Sequence, residues 1–149
     1  VMECRNVLKE CGNDVEKAIV VLRERGLAKA EKKALRSTSQ GVIEAYIHSG
    51  GRIGAMVEVD CESDFVARTE EFRELAHDIV LQVTATDPQF LSPDDMPPDT
   101  ARDPREVCLL SQPFIKDEGK TVVERVQDTI ARTGENIRIK RFVRFQLGE

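Results

Sequence analysis

Ile53-Gly54-Ala55-Met56-Val57-Glu58-Val59-Asp60-Cys61-Glu62-Ser63-Asp64-Phe65-Val66-Ala67 contains a strand and the break that ends it. Val57, Val59 and Cys61 alternate with Glu58, Asp60 and Glu62. This period of two buries one face of a strand and wets the other. Before it, His48-Ser49-Gly50-Gly51-Arg52 has the composition of a hairpin turn, and Val42-Ile43-Glu44-Ala45-Tyr46-Ile47 is a second strand-like run. Beyond Cys61 the alternation stops. Ser63 and Asp64 favour a turn, yet Phe65 follows at once. The residues alone leave two arrangements open. Phe65 folds back onto the sheet edge, or it stands exposed beside the charge of Asp64 and enters a partner. Neither arrangement is an active site.

Downstream of that loop, Thr69 caps a helix reaching about Thr86, with Glu70 and Glu71 at its positive end. Its apolar stripe is Phe72, Leu75, Ala76, Ile79 and Val83, and His77 falls off it toward the surface. Asp87 to Glu106 holds five of the six prolines and six acidic residues, and reads as a loop. Thr121-Val122-Val123-Glu124 has the form of a capping box opening a helix through Arg132, which Gly134 ends. Asn136 to Phe145 is a strand. Simple alternation puts Ile137, Ile139, Arg141, Val143 and Phe145 on one face and Arg138, Lys140, Phe142 and Arg144 on the other.

Upstream lie two short helices. Cys4, Val7, Leu8 and Cys11 form the stripe of the first, which Gly12 caps; Asn13 or Asp14 opens the second. Val15, Ala18, Ile19 and Leu22 form its apolar face, and Gly26 is expected to stop it. Leu27 to Gln40 is a basic linker, helical or flexible, whose lysines read as a solvated face. The fold class is α+β: an antiparallel sheet of at least three strands with packed helices, preceded by a small helical module.

The chain has 149 residues, 40% of them hydrophobic, 33% charged, with a net charge of −5. This suits one domain, or one with an appendage, and excludes disordered and disulfide-scaffold classes. No apolar run approaches a membrane span, and no signal-peptide pattern opens the chain. A pI near 5.2 argues against broad nucleic-acid binding. Cys4, Cys11, Cys61 and Cys108 have no zinc-site spacing and read as small buried hydrophobes of a reducing compartment. Only His48 and His77 are available as neutral-pH bases. The hydrolase, phosphate-loop, zinc-protease and dinucleotide signatures are absent. No catalytic residues, metal site or cofactor are therefore assigned, and a non-enzyme is expected.

At the Ser63–Val66 break the sequence resembles the elongation factor Ts family. Val57-Glu58-Val59-Asp60-Cys61-Glu62-Ser63-Asp64-Phe65-Val66-Ala67 is similar to its Val-Glu-Val-Asn-Cys-Glu-Thr-Asp-Phe-Val-Ala signature. Met2-Glu3-Cys4-Arg5, Gly12 to Ala18, Leu22 to Gly26, Leu110 to Phe114 and Gly134-Glu135-Asn136-Ile137 match further motifs in order. Ser63 stands for the usual Thr and keeps the hydroxyl. The Asp87–Glu106 loop is short where many relatives carry a helical insertion.

The resemblance implies three regions: residues 1–26, the last two helices of a ubiquitin-associated-like module with a third helix expected upstream of Val1; a linker, 27–40; and the core domain, 41–149. It implies a guanine nucleotide exchange factor that acts on elongation factor Tu, GDP-bound and nucleotide-free. Ser63, Asp64, Phe65 and Val66 would enter the partner near its magnesium site and loosen GDP. Arg5, His48 and Gly134 match further contact positions, although Thr133 departs from the usual aliphatic residue. His48 resembles a histidine from the second half of a duplicated core. Only one core copy is present here, so a homodimer is expected. No nucleic-acid or membrane partner is implied. The compartment would be the bacterial cytoplasm, or a mitochondrion or plastid. The alternative is a ubiquitin-associated-type protein-binding module fused to an unrelated α+β domain.

Overall fold

The computed structural model describes residues 2–149; Val1, the first residue of the expected N-terminal module, lies outside them. The elements run α1 (Met2–Glu10), α2 (Val15–Lys33), β1 (Gln40–Ile47), β2 (Ile53–Cys61), α3 (Asp64–Ala67) and α4 (Glu70–Thr86). They continue with α5 (Pro104–Val107), β3 (Pro113–Phe114), β4 (Asp117–Thr121), α6 (Val122–Thr133) and β5 (Ile137–Gln146). β1, β2 and β5 form an antiparallel sheet with β2 in the centre, while β3 and β4 pair separately. The α+β class read from the sequence therefore holds.

The core follows from the alternation in β2. Ala55, Val57, Val59 and Cys61 are buried and meet Phe72, Leu75, Ile79 and Val83 of α4. α6 adds Val122, Val126 and Ile130. Each fully buried side chain of this kind contributes roughly 1.5–3 kcal/mol. The helices carry the expected caps. The Thr69 hydroxyl accepts from Phe72 N–H at 3.3 Å, and Thr121 and Glu124 close a capping box over α6. Gly134 ends α6 at φ 76°, left-handed geometry that favours glycine.

Four sequence expectations are corrected. First, Gly26 does not stop α2, which runs on through much of the basic linker to Lys33. The segment after Gly26 is rich in Ala, Lys, Leu and Glu, strong helix formers that offset the roughly 1 kcal/mol penalty of one glycine. Buried Ala30 anchors its end to the core. Second, strict alternation fails in β5. Val59 pairs with Ile139, but Glu58 pairs with Arg141, so Lys140 is an extra, bulged residue. Beyond it the faces exchange: Ile137 and Ile139 are buried, but Phe142 and Arg144 now turn inward, while Val143 and Phe145 are exposed. Third, the cysteines are not all buried. Cys61 and Cys108 are, Cys11 is half-buried and Cys4 is exposed. The face expected of α1 and α2 is likewise only partly covered. Val7 and Ala18 are buried, whereas Val15 and Ile19 are exposed.

Candidate functional site

β2 ends at Cys61 and leads into the segment between sheet and α4. Residues expected as a loop form one helical turn, α3. Ser63 is its N-cap, extended at φ −124° and ψ 152°, and its Oγ accepts from Val66 N–H at 3.2 Å. The turn packs inward through Val66 and Ala67, which are 5% and 4% exposed. Val66, expected among the contact residues, is thus an anchor whose side chain faces the core. Phe65 points the other way and is 80% exposed. The fold-back arrangement is therefore not adopted. Asp64 pairs with Arg68 at 2.6 Å across one turn, with both side chains largely in water. Such a pair contributes little, so it leaves the Asp64 carboxylate at the surface beside the ring.

The turn between α6 and β5 lies against this one. Ser63 N–H and Oγ–H donate to the two carboxylate oxygens of Glu135 at 2.9 and 2.6 Å. Asn136 N–H donates to Glu62. Arg36 donates from Nη1 to the Gly134 carbonyl at 3.5 Å and pairs with Glu62. Gly134 is thereby brought beside the Ser63–Phe65 turn. The sequence reading singled out Gly134 but missed Glu135, Glu62 and Arg36. Their partners lie as far as 98 residues away along the chain, and only the fold discloses such pairs. The Cys61 thiol donates to the Ser63 carbonyl at 3.2 Å, and burial pushes its pKa up to about 11. It is an inert buried thiol.

His48 and Arg5 are not brought to this place. His48 sits in the β1–β2 hairpin, exposed, with its Nδ1 3.2 Å from the Tyr46 hydroxyl. The length of β2 separates that hairpin from Ser63, about 26 Å at 3.3 Å per residue. Arg5 is exposed on α1, which reaches the rest of the chain through α2 by the Glu3–Lys29 and Glu10–Arg25 ion pairs.

The outer face of the sheet has no helix over it. It presents Ile43, Ile47, Met56, Val143 and Phe145, the last 72% exposed. Glu58 and Asp60 are next-but-one neighbours on this face and share a hydrogen bond. Burial pushes Asp60 up to about 6, and the Glu58 carboxylate beside it adds to the shift. Glu58 is held below the usual carboxylate range by the hydrogen bond from Asp60, then by Arg141 and Lys140. A carboxyl raised from 3.8 to about 6 on folding binds more protons in the native state between those values. Its contribution to stability is therefore lost as pH rises from 4 to 6. Urea titrations at pH 4, 5, 6 and 7 should show wild type losing about 1 kcal/mol relative to Asp60→Asn between pH 4 and 6, after discounting for partial solvation. A pH-independent difference would refute the shared proton.

No group of three or more ligating side chains with metal-site geometry occurs among the described residues. No described helix is long and apolar enough to cross a membrane. The remaining features are an exposed aromatic on a short, doubly capped turn and the motifs that surround it.

A sequence profile described as "Elongation factor TS" matches residues 9–107. The chain belongs to the elongation factor Ts family. An elongation factor Ts from Koribacter versatilis is 43% identical over the whole chain, which spans 82% of that relative. One from Carboxydothermus hydrogenoformans is 44% identical with the same coverage, and one from Desulfosudis oleivorans is 41% identical with 90% of its length spanned. These matches include both the helical hairpin and the sheet domain, so the alternative of a helical module fused to an unrelated domain falls. The family is one of translation elongation factors. The Koribacter alignment runs over 179 positions against the 149 residues here, so that relative carries segments this chain lacks.

Proposed function

We propose that this chain is a guanine nucleotide exchange factor that releases GDP from elongation factor Tu by inserting Phe65, with Asp64 beside it, near the partner's magnesium site. The observation that carries this reading is the 80% exposure of Phe65 on a turn that Val66 and Ala67 anchor in the core. A few anchoring side chains carry most of the energy at an interface, and an exposed aromatic on a fixed mount is suited to be one of them. Magnesium bridges the nucleotide phosphates, so a wedge that disturbs its surroundings weakens GDP without making or breaking a bond. Linkage requires GDP and the exchange factor to weaken each other by the same factor. Gly134 borders the same contact through Glu135, while Arg5, exposed on the helical hairpin, would meet the partner at a separate place. The missing relative segment falls in the Asp87–Glu106 loop on this reading, which leaves the exchange turn intact. The test is stopped-flow release of labelled GDP from elongation factor Tu with wild type and Phe65→Ala. The place of action is the cytoplasm of a bacterium, or a mitochondrion or plastid.

The working unit on this reading is a homodimer. Phe65 and His48 stand at opposite ends of β2, so one copy does not offer both at one point. The bare outer sheet face is apolar and also carries the Glu58–Arg141 pair at 2.9 Å, both signs of charge that a two-fold related copy would meet. Exposed apolar faces of this kind mark interaction surfaces. Light scattering at micromolar concentration should give twice the chain mass, and Phe145→Glu should reduce it to monomer. A wild-type monomer with full exchange activity would refute the dimer.

A further inference from the structure

A four-residue helix does not hold itself together, because nucleating a single turn is unfavourable. What fixes α3 therefore decides where Phe65 stands. The Asp64–Arg68 pair is solvated and contributes little. Val66 and Ala67 hold the C-terminal half of the turn in the core; Ser63 is the control point of its N-terminal end, and both of its donors end on one side chain. Its N–H reaches Glu135 Oε1 at 2.9 Å and its Oγ–H reaches Oε2 at 2.6 Å. Its Oγ stays free to accept from Val66 N–H and cap the turn. Hydrogen bonds to an ionised carboxylate are the strong ones, and a forked pair also fixes orientation.

Glu135 can hold Ser63 only if it is itself held, and its neighbours supply this. Asn136 is 3% exposed, and its Nδ2 donates to the carbonyls of Ala34 and Arg36 at 3.4 and 2.9 Å. Its backbone N–H donates to Glu62. On the other side, Gly134 is fixed as the left-handed end of α6. The carboxylate thus projects from a turn tied to α6, to the end of α2 and to the end of β2.

We propose that Glu135 is a positioning residue for nucleotide exchange: its carboxylate fork sets the angle at which α3 presents Phe65. The inference rests on the reading of Phe65 as the exchange wedge. A preorganised contact group avoids the ordering penalty on binding and reaches its target in one geometry. Removing the fork loosens the N-terminal end of the turn at Ser63, so Phe65 is no longer presented at one angle even though Val66 and Ala67 stay in the core.

The experiment compares stopped-flow GDP release from elongation factor Tu for wild type, Glu135→Ala, Glu135→Gln, Phe65→Ala and Glu135→Ala/Phe65→Ala. Amide hydrogen exchange at Ser63 and Val66 is measured in each free protein. Glu135→Ala should slow release about tenfold, the scale of a small misplacement of a reacting contact, and speed amide exchange at Ser63. In the Phe65→Ala background it should have no further effect, because Glu135 acts through Phe65. Glu135→Gln should stay within about threefold of wild type, since its amide oxygen accepts from Ser63 N–H and its NH2 donates to Oγ. Unchanged release in Glu135→Ala overturns the proposal. So does a tenfold loss on top of Phe65→Ala, or a Gln variant as slow as the Ala variant, which would mean that charge toward the partner is what counts. If Phe65→Ala alone leaves release unchanged, the wedge reading has failed and with it the role in exchange. Ser63 amide exchange then reports separately whether Glu135 holds the turn.

Discussion

Phe65→Ala should slow release of labelled GDP from elongation factor Tu by about a hundredfold at saturating factor, while its thermal unfolding stays within a few degrees of wild type. The two halves have one cause. A side chain that is 80% exposed has little buried area to lose, so truncation leaves the core intact, and alanine is at home in a helical turn. The same ring is the only large apolar group at the tip of α3. Buried aromatic anchors at interfaces contribute about 2–4 kcal/mol, and each 1.4 kcal/mol is tenfold in a rate or equilibrium constant. Asp64→Asn is the useful comparison. It keeps the shape and removes the charge that flanks the ring, and it should lose less than Phe65→Ala. Unchanged release in Phe65→Ala would refute the wedge. A large fall in unfolding temperature would instead place Phe65 in the core.

Much of this architecture was legible because it rests on local rules. The alternation of Val57, Val59 and Cys61 placed β2 and its buried face. The Thr121–Glu124 box placed the start of α6, and the glycines of the hairpin placed the β1–β2 turn. What was not legible depends on partners distant in the chain. The bulge at Lys140 exchanges the faces of β5, and it arises from the pairing with β2, for which the strand's own residues give no signal. Simple alternation places Val143 and Phe145 on the face of Ile137 and Ile139, and so misses the apolar outer face of the sheet to which they belong. Gly26 misled for the opposite reason. A local rule about helix ends was overridden by the helix formers that follow and by Ala30 packing into the core. At the candidate site, Asp64 and Phe65 could be picked out as a loop pair. Whether the ring was covered depended on Val66 and Ala67 turning inward. The Glu135 fork spans 72 residues and has no local sequence signature.

Asp78→Ala should destabilise the fold by about 3 kcal/mol, close to a 10 °C fall in unfolding temperature for a chain of this size. Asp78 is on α4, beside the apolar stripe, and is 4% exposed. It accepts from Lys116 Nζ at 2.6 Å, and from Arg125 Nη2 and Nε at 3.0 and 3.2 Å. Arg125 in turn donates to Thr129 at 2.7 Å and lies over the Phe114 ring at 6.0 Å. One carboxylate therefore joins α4 to the β3–β4 hairpin and to α6. Removing it leaves the Arg125 guanidinium, whose side chain is 14% exposed, desolvated without its counter-charge. That uncompensated charge, more than the lost attraction, produces the destabilisation. Asp78→Asn keeps one acceptor for Lys116 or Arg125 and should lose less. The double variant Asp78→Leu/Arg125→Met removes both charges and fills the space with apolar groups, so it should recover most of the loss, as a double-mutant cycle in urea would report. If Asp78→Ala loses under 1 kcal/mol, solvent reaches the cluster and the pair is a surface contact. If the double variant is as unstable as the single one, the carboxylate acts through geometry that no apolar pair restores.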